Sequence, residues 1–248
     1  MAELIQCDDA SARLRLILGE EGLQRLADAR VFVLGVGGVG SNCAEALVRG
    51  AIGHLVLFDH DVVEPSNMNR QAVAFLSTVG QAKTEVMARM VADINPACEV
   101  VRRDVFLTRE NIAQEFEALP RPDCVVDAID NVTAKPVVAQ YCNERGIPLV
   151  SSMGGANKLH PELLRFGDIS ETRVDPLAKI IRKECRRRGI DHLRVLWSPE
   201  EPTSVSAPAG TEGKSATLGT MSYFPAIMGQ MLASDVILSL TGLGRTDG

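Results

Sequence analysis

Short strand-like runs alternate with segments of helical spacing along the first part of the chain. The runs at residues 31–34, 54–58, 99–103, 123–127 and 147–151 are typical of β-strands. Helical spacing is found at about 10–29, and at 41–49, 80–94, 109–119 and 133–145. This alternation predicts an α/β fold, a Rossmann-like, doubly wound and mostly parallel sheet with helices on both faces.

The second part of the chain has a looser pattern. We predict strands at 163–166 and 193–197, a helix at 176–188 and an apolar helix at 222–240 that packs on the core. Residues 198–217 are rich in Pro, Ser, Gly and Glu, which predicts a mobile crossover loop. The expected organisation is a single domain over 1–248, with a nucleotide-binding part at about 10–155 and a substrate and dimer part at about 156–245.

A glycine-rich turn follows the first predicted strand. Gly35, Gly37, Gly38 and Gly40 lie between that strand and a predicted helix that begins at Ser41. Such a turn points backbone N–H groups and the positive end of a helix dipole at open space, which suits a phosphate group. The second strand runs into Asp59, where a carboxylate is placed to bind ribose hydroxyls. Together these features predict an adenine-nucleotide site.

Bulk composition narrows the class of protein. The 248 residues are 46% hydrophobic and 23% charged, as in an ordinary globular enzyme. The net charge of −6 gives no general attraction for nucleic acid, so any RNA contact needs a local basic patch. The N-terminus lacks a signal-peptide core, and we find no apolar run of bilayer length, so we expect a cytoplasmic protein without a membrane span.

The cysteines and histidines do not have the spacing of a metal site. The chain has six cysteines and no C-x-x-C pair, so no zinc is expected. The four histidines are far apart in the sequence. Cys43, in a predicted helix, and Cys124, in a predicted strand, are interpreted as small buried hydrophobic residues.

Polar residues after the second and fourth strands distinguish between the chemistries that a nucleotide domain can carry. The segment 59–71 contains Arg70, and it is joined by Lys83 and by the acids Asp127 and Asp130. Cations offset the charge that builds up when a nucleophile attacks phosphorus, and an acid holds Mg²⁺. An acid at a strand end such as Asp127 often only caps the next loop, so we favour Asp130 as the magnesium ligand.

These residues resemble a known family. The segments 35–41 (GVGGVGS) and 59–71 with its SNMNRQ, together with Lys83 and Asp130, are similar to the ThiF-type adenylating family, which includes ubiquitin-activating enzymes and sulfur-carrier adenylyltransferases. The resemblance covers about the first 155 residues. Five later segments resemble the tRNA threonylcarbamoyladenosine dehydratases of that family: 165–169, 172–177 (TRVDPL), the basic helix to Ile190, 193–202 (LRVLWSPEEP) and 219–225 (GTMSYFP).

The resemblance implies roles for particular residues. The nucleotide would be bound by Gly35, Gly37, Gly38, Gly40, Ser41, Asp59, Asp61, Asn67, Arg70 and Lys83. Arg70, Lys83 and Asp130 would be catalytic, with Asp130 holding Mg²⁺. The family also implies a homodimer in which an arginine of the opening helix, Arg13 or Arg15, enters the neighbouring subunit's site.

The resemblance further implies a reaction and its partners. A carboxylate on threonylcarbamoyladenosine, near the anticodon of tRNA, would attack ATP to give an acyl-adenylate, and ring closure would then release AMP. Residues 198–223 contain no cysteine, which counts against thioester transfer. The strongest basic run would contact tRNA: Lys179, Arg182, Lys183, Arg186, Arg187, Arg188 and Arg194.

Other functions compete with this interpretation. The runner-up is an adenylyltransferase that activates the C-terminus of a ubiquitin-like sulfur-carrier protein. A nicotinamide dehydrogenase is compatible with Asp59, but the sequence supplies no hydride-transfer machinery. A nucleotide-sensing scaffold without catalysis is disfavoured by the Arg70, Lys83 and Asp130 set. A cysteine desulfurase or a sulfur-acceptor protein stays open as a partner.

Overall fold

The computed structural model describes residues 10–205 and 218–244. The helices of these residues are α1 (Ala12–Asp28), α2 (Gly38–Arg49), α3 (Lys83–Ile94), α4 (Ile112–Glu117), α5 (Lys135–Arg145), α6 (Pro176–Arg187) and α7 (Tyr223–Thr241). The strands are β1 (Arg30–Leu34), β2 (His54–Phe58), β3 (Glu99–Arg103), β4 (Cys124–Asp127), β5 (Leu149–Ser152), β6 (Arg165–Asp168) and β7 (Arg194–Trp197).

The strands form one sheet in the order β3-β2-β1-β4-β5-β7-β6. Neighbouring strands run parallel except β6, which pairs antiparallel with β7. The register places Leu34 of β1 opposite both Phe58 of β2 and Asp127 of β4. The predicted doubly wound α/β fold is therefore confirmed, and three strands end level with one another at one edge of the sheet.

The inner strands are buried on both faces, which explains their continuous apolar sequence. In β1, Val31 and Val33 face a core shared with α2, α3 and α7, whereas Phe32 and Leu34 face a core shared with α4 and α5. The Phe32 ring meets Phe58 at a centroid distance of 5.6 Å on that second face. A strand that must fill two cores cannot carry the alternating polar residues of a half-exposed sheet.

Several boundaries differ from those expected from the sequence. Helix α2 begins at Gly38 instead of Ser41, so the glycine-rich segment is partly helical. Helix α3 begins at Lys83 instead of Gly80, because Gly80 has a positive φ of 84° and Ala82 forms a bridge with Val62. Of the predicted mobile loop, residues 198–205 have no regular structure and 206–217 lie outside the described residues.

Helix α7 corrects the expectation about apolar length. Its 19 residues are long and apolar enough, by length and composition alone, to cross a membrane. In this fold one face of α7 packs on the sheet and α2, and Phe224, Met228 and Leu232 are buried there. Packing in the core of the domain accounts for the apolar character of that face.

Candidate active site

A cavity of about 350 Å³ opens at the carboxyl edge of the sheet, between β1, β2 and β4. The connection after β1 leads to β2 on one side of the sheet, whereas the connection after β4 leads to β5 on the other side. The cavity therefore lies at the crevice where the strand order reverses, which is where doubly wound folds bind ligands. Its polar lining residues include Gly35, Gly37, Gly38, Asp59, Asp61, Asn67, Arg70, Gln71, Lys83, Asp130 and Asn131. The cavity therefore brings together most of the residues that the sequence singled out.

The start of helix α2 forms the floor of the cavity. Gly35 has φ of 84°, and its N–H donates to the Phe58 carbonyl at 2.7 Å. A Cβ at Gly40 would overlap the carbonyl oxygen of Gly35, so only glycine lets the helix begin this close to the strand. The N-cap is Gly37, and a Cβ built on it meets only the Gln71 Nε2 atom, at 3.9 Å. Gly37 and Gly38 both line the cavity, so the helix N-terminus with its unpaired amides lies at the cavity wall, which fits a phosphate group.

Gly40 and Ser41 lie behind this floor and do not line the cavity. The Ser41 hydroxyl donates to the Gly37 carbonyl at 2.6 Å and accepts from the Ala72 N–H at 3.0 Å. Ser41 thereby ties the helix start to the loop that carries Arg70. Gly40 and Ser41 hold the floor in place, and their contact with a nucleotide stays a prediction.

Asp59 lies at the end of β2, as the sequence predicted. One carboxylate oxygen accepts from the Val36 N–H at 2.6 Å, and the other accepts from the Asp61 N–H at 2.8 Å. These bonds fix the half-buried side chain at the rim of the cavity. Each oxygen keeps a further lone pair, so ribose hydroxyls can still donate to it.

Lys83 and Asp61 form an ion pair at the same rim. The Lys83 ammonium donates to Asp61 at 2.7 Å, and the lysine is only 5% exposed although its partner is exposed. Lys83 starts α3, so the pair joins that helix to the loop after β2. Asp61, which was predicted to contact the nucleotide, positions the lysine in this structure.

Arg70 crosses the start of helix α2. A Cβ built on Gly38 would lie 3.3 Å from Cγ of Arg70, which places the arginine stem over the helix N-terminus. Arg70 donates through Nη1 to the Ser66 carbonyl at 3.0 Å and to Asn69 Oδ1 at 2.9 Å. The other guanidinium nitrogens have donors left for a phosphate.

Asn67 and Asn69 shape the loop that carries Arg70. Asn67 is buried, and its Oδ1 accepts from the Glu64 N–H at 3.1 Å. Asn69 donates to the Thr220 carbonyl at 2.9 Å, which pins the loop to the residues before α7. Asn67 still lines the cavity, whereas Asn69 does not.

The two acids that follow β4 have different surroundings. Asp127 is 1% exposed and accepts from the Lys135 ammonium at 2.9 Å and from the Ser151 hydroxyl at 2.6 Å. Asp130 is exposed and lines the cavity, and its carboxylate has no hydrogen-bond or ion-pair partner among residues 10–205 and 218–244. A free carboxylate beside a phosphate site fits Mg²⁺, which is bound through one or two carboxylates and phosphate oxygens.

Sequence reasoning missed several residues of the cavity. Its apolar side is formed by Phe58, Val105, Leu107 and Ile129. Met228, near the start of α7, closes the cavity from the second half of the chain. The loop after β3 could have been found, because parallel strands end at the same edge. Met228 could not, because its approach depends on how α7 packs.

Gln71 was also missed, although it belongs to the SNMNRQ segment. The residue is 8% exposed and lines the cavity. Its Oε1 atom is buried without a hydrogen-bond partner in the described structure. An unpaired buried carbonyl is costly, so such an atom is a candidate for pairing with a ligand.

The predicted RNA-binding residues of α6 do not form one exposed patch. Arg182 donates to the Thr172 hydroxyl at 2.7 Å, and Arg188 donates to Gln140 at 2.6 Å with a side chain only 13% exposed. Arg182 on α6 and Arg188, the residue after its last turn, fasten the helix by pairing with neighbouring elements. The remaining four are exposed: Lys179, Lys183, Arg186 and Arg187. Outside the helix, Arg194 forms a bidentate pair with Asp235.

An acid at the start of α6 couples that helix to the cavity wall. Asp175 caps the helix by accepting from the Leu177 N–H at 2.8 Å, and it also accepts from the Gly154 N–H at 2.8 Å. The next residue, Gly155, lines the cavity. The buried Lys158 ammonium lies 3.6 Å from Asp175, and burial lowers its pKa. The position of α6 is therefore tied to the active-site wall.

The cysteines are inside the domain, as expected for Cys43 and Cys124. All five cysteines of the described residues are buried, while Cys7 lies outside them. Burial raises the pKa of Cys98 and Cys185 to about 11, and the pKa of Cys124 and Cys142 to about 12. These thiols are therefore protonated at neutral pH and poor nucleophiles.

The fold and the cavity define a nucleotide-binding α/β protein with cations and a free acid around the phosphate position. A model of the ThiF family matches residues 9–247, so the chain belongs to that family. It is 40% identical over 239 residues to the tRNA threonylcarbamoyladenosine dehydratase of Bacillus subtilis, covering 92% of this chain and 93% of the relative. The family resemblance expected from the sequence is confirmed.

Solved structures and a further relative agree with this assignment. The structure of the Escherichia coli tRNA N6-threonylcarbamoyladenosine dehydratase in complex with ATP superposes with a TM-score of 0.85, at 32% identity and covering 97% of each chain. The sulfur carrier protein adenylyltransferase of Thermus thermophilus is 28% identical over 92% of this chain and 75% of its own length.

Proposed function

We propose that this protein is an ATP-dependent tRNA threonylcarbamoyladenosine dehydratase of the cytoplasm. The observation that carries the proposal is one cavity in which a helix N-terminus, Arg70, Lys83 and the unpaired Asp130 surround the same space. The similarity to dehydratases over nearly the whole of both chains supports the choice of substrate. Its substrate would be tRNA that carries threonylcarbamoyladenosine next to the anticodon.

The first chemical step is adenylation of the substrate's carboxylate. A carboxylate oxygen attacks the α-phosphorus of ATP, the bond to the bridging oxygen breaks, and pyrophosphate leaves with the electron pair. The start of α2, Arg70 and Lys83 line one cavity, and in this proposal they offset the charge on the phosphate oxygens. Asp130 would hold Mg²⁺, which supplies further neutralisation of phosphate charge when it is bound.

The second step closes a ring on the substrate. An atom of the ureido group attacks the activated carbonyl carbon, the carbon–oxygen bond to AMP breaks, and the ureido group loses a proton. Attacker and target belong to one small nucleoside, so the step gains the effective molarity of an intramolecular reaction. It needs no enzyme nucleophile, which agrees with the burial of Cys43, Cys98, Cys124, Cys142 and Cys185.

The experiment is a single incubation with a matched pair of variants. The protein is incubated with ATP, Mg²⁺ and tRNA that carries threonylcarbamoyladenosine, called marked tRNA below. The modified nucleoside should lose the mass of one water while AMP appears. Arg70→Ala should lower the rate by about 100-fold or more. This is the usual cost of removing one hydrogen-bond donor that stabilises charge developing in the transition state. Arg89→Ala, an exposed arginine of α3 paired with Glu85, should not change it. Marked tRNA left unchanged by the folded, ATP-binding parent protein would refute the proposal.

A sulfur-carrier adenylyltransferase is the second candidate, favoured by the similarity to the Thermus thermophilus relative. It predicts ATP–pyrophosphate exchange that is stimulated by a small protein ending in two glycines. The buried cysteines count against thiol transfer. The same exchange assay with marked tRNA in place of the protein separates the two candidates.

The proposal includes a homodimer in which Arg13 completes the partner's site. Arg15 is held by Glu20 at 2.7 Å, whereas Arg13 is exposed. The first turn of α1 adjoins Gly53 and Ala97, at the amino edge of the sheet. It lies opposite the cavity of its own subunit. Leu16 and Ile17, which are 88% and 77% exposed, offer an apolar contact surface.

Mixing two inactive variants tests this arrangement. Arg13→Ala and Arg70→Ala each damage a different half of every site, so a heterodimer keeps one intact site. A statistical mixture should recover about a quarter of the parent activity. Recovery of none would refute the shared site.

A further inference from the structure

A second groove of about 630 Å³ adjoins the nucleotide cavity. Its walls are the loop after β3, the loop before α5 and one face of α6. Phe106 and Asn131 line both the groove and the cavity, so the two spaces are continuous. The junction lies next to Asp130, because Asn131 is the residue that follows it. A substrate extending from the cavity at this point would enter the groove.

The groove has an apolar platform. The Phe106 ring is 49% exposed and is held edge-on against His60 at a centroid distance of 4.6 Å. Val132 and Ile180, which are also exposed, lie along the same groove. A large aromatic ring held in place and left half open to solvent can stack on a nucleobase at little entropic cost.

Cations border this platform on two sides. Arg109 is exposed on the loop after β3, and Arg187 is exposed on α6. Glu110 and Glu184 offset two of the three arginines that line the groove, and Arg188 is the third, so the lining keeps one net positive charge. The exposed Lys183 on α6 adds positive charge beside it. An aromatic platform bordered by cations is the pattern that binds unpaired nucleotides.

We infer that the groove holds the unpaired nucleotides next to the modified adenosine, with Phe106 stacked on a base and Arg109 against a phosphate. The inference rests on the proposed function. An adenosine that reacts in the cavity is still joined to its neighbours through phosphodiesters, and these must leave along the protein surface. The groove begins beside Asp130, and it combines an exposed aromatic ring with cations, as the binding of an RNA loop requires.

Binding of a synthetic RNA stem–loop that carries threonylcarbamoyladenosine next to the anticodon tests the inference. Phe106→Ala should weaken binding about tenfold, the loss expected for one stacked base. Phe106→Trp should restore it, because a tryptophan offers the same stacking face. The matched control is Phe75→Ala, which removes a phenylalanine that is 53% exposed and does not line the groove. Binding of the control should equal that of the parent.

Arg109→Ala tests the phosphate contact without touching the nucleotide cavity. It should weaken RNA binding. The slope of log affinity against log salt should become shallower by about 1, the change expected for the loss of one phosphate contact. Its affinity for ATP, measured by calorimetry, should stay unchanged.

The possible results distinguish failure of the RNA-groove inference from failure of the proposed function. If the parent converts marked tRNA while Phe106→Ala and Arg109→Ala bind the stem–loop as tightly as Phe75→Ala does, the groove is not an RNA site. If Phe106→Ala and Arg109→Ala bind RNA as the parent does but no longer bind a protein partner, the groove is a protein-docking surface. That result would also overturn the inference. A parent protein that binds ATP but neither binds nor converts marked tRNA would remove the proposed function, and the groove's role with it.

Discussion

Replacing Lys135 with methionine tests whether the two acids after β4 have separate tasks. In the structure Lys135 donates to Asp127 at 2.9 Å and to the Ser151 hydroxyl at 3.1 Å, and each of the three residues is 1% exposed. Methionine has a similar length and no charge. The substitution therefore leaves the Asp127 carboxylate buried without its counter-ion.

The expected cost follows from what remains around that carboxylate. Asp127 keeps the Ser151 hydroxyl at 2.6 Å and a long bond from the Ile129 N–H at 3.3 Å. Two neutral donors do not replace an ammonium in the interior, and breaking a buried pair by removing one partner costs about 3–5 kcal/mol. This is a large share of the roughly 5–15 kcal/mol that stabilises a typical protein. Removing both charges, with Lys135→Met and Asp127→Leu, should recover most of the loss.

Urea unfolding followed by circular dichroism measures the loss of stability. Turnover of marked tRNA per folded molecule measures whether each acid takes part in the chemistry. Lys135→Met should unfold at a clearly lower urea concentration, and the double variant should unfold near the parent. The folded double variant should keep its activity, whereas Asp130→Asn should lose about 100-fold while staying as stable as the parent. A double variant that is folded but as inactive as Asp130→Asn would show that Asp127 takes part in the chemistry, and the reasoning would be wrong.

Two further predictions concern buried polar groups. Gln71→Met should leave stability unchanged or raise it, because Oε1 has no hydrogen-bond partner in the described structure. If the amide binds nucleotide, the substitution should also raise the KM for ATP about tenfold. An unchanged KM would show that Gln71 only forms part of the cavity wall. Burial raises the pKa of the Cys98 and Cys185 thiols from 9.0 to about 11. In the unfolded chain these thiols ionise first, so the stability that they contribute is complete below pH 9 and declines between pH 9 and pH 11. Thermal melts of the parent and of Cys98→Ala across this range measure the effect, and identical pH profiles would contradict it.

The strands and the first half of the site could be predicted because their signals are local. Strands β2 and β3 have the predicted bounds, since an apolar or β-branched run flanked by turns specifies a strand without reference to distant residues. The positions of Gly35 and Asp59 follow from the same reasoning, because parallel strands end at one edge of the sheet. Their use for an adenine nucleotide is part of the proposed function.

The amino-acid sequence by itself determined the doubly wound architecture, the glycine turn and the acid after the second strand, because periodicity and backbone chemistry act over a few residues. Tertiary structure alone decided which neighbouring polar groups face the cavity. Asp127, at the end of β4, is buried with Lys135, at the start of α5, as its counter-ion, and Arg182 is turned away from solvent because Thr172 accepts from it. Burial and pairing depend on elements that come together only in the folded chain, and no spacing along the chain encodes them.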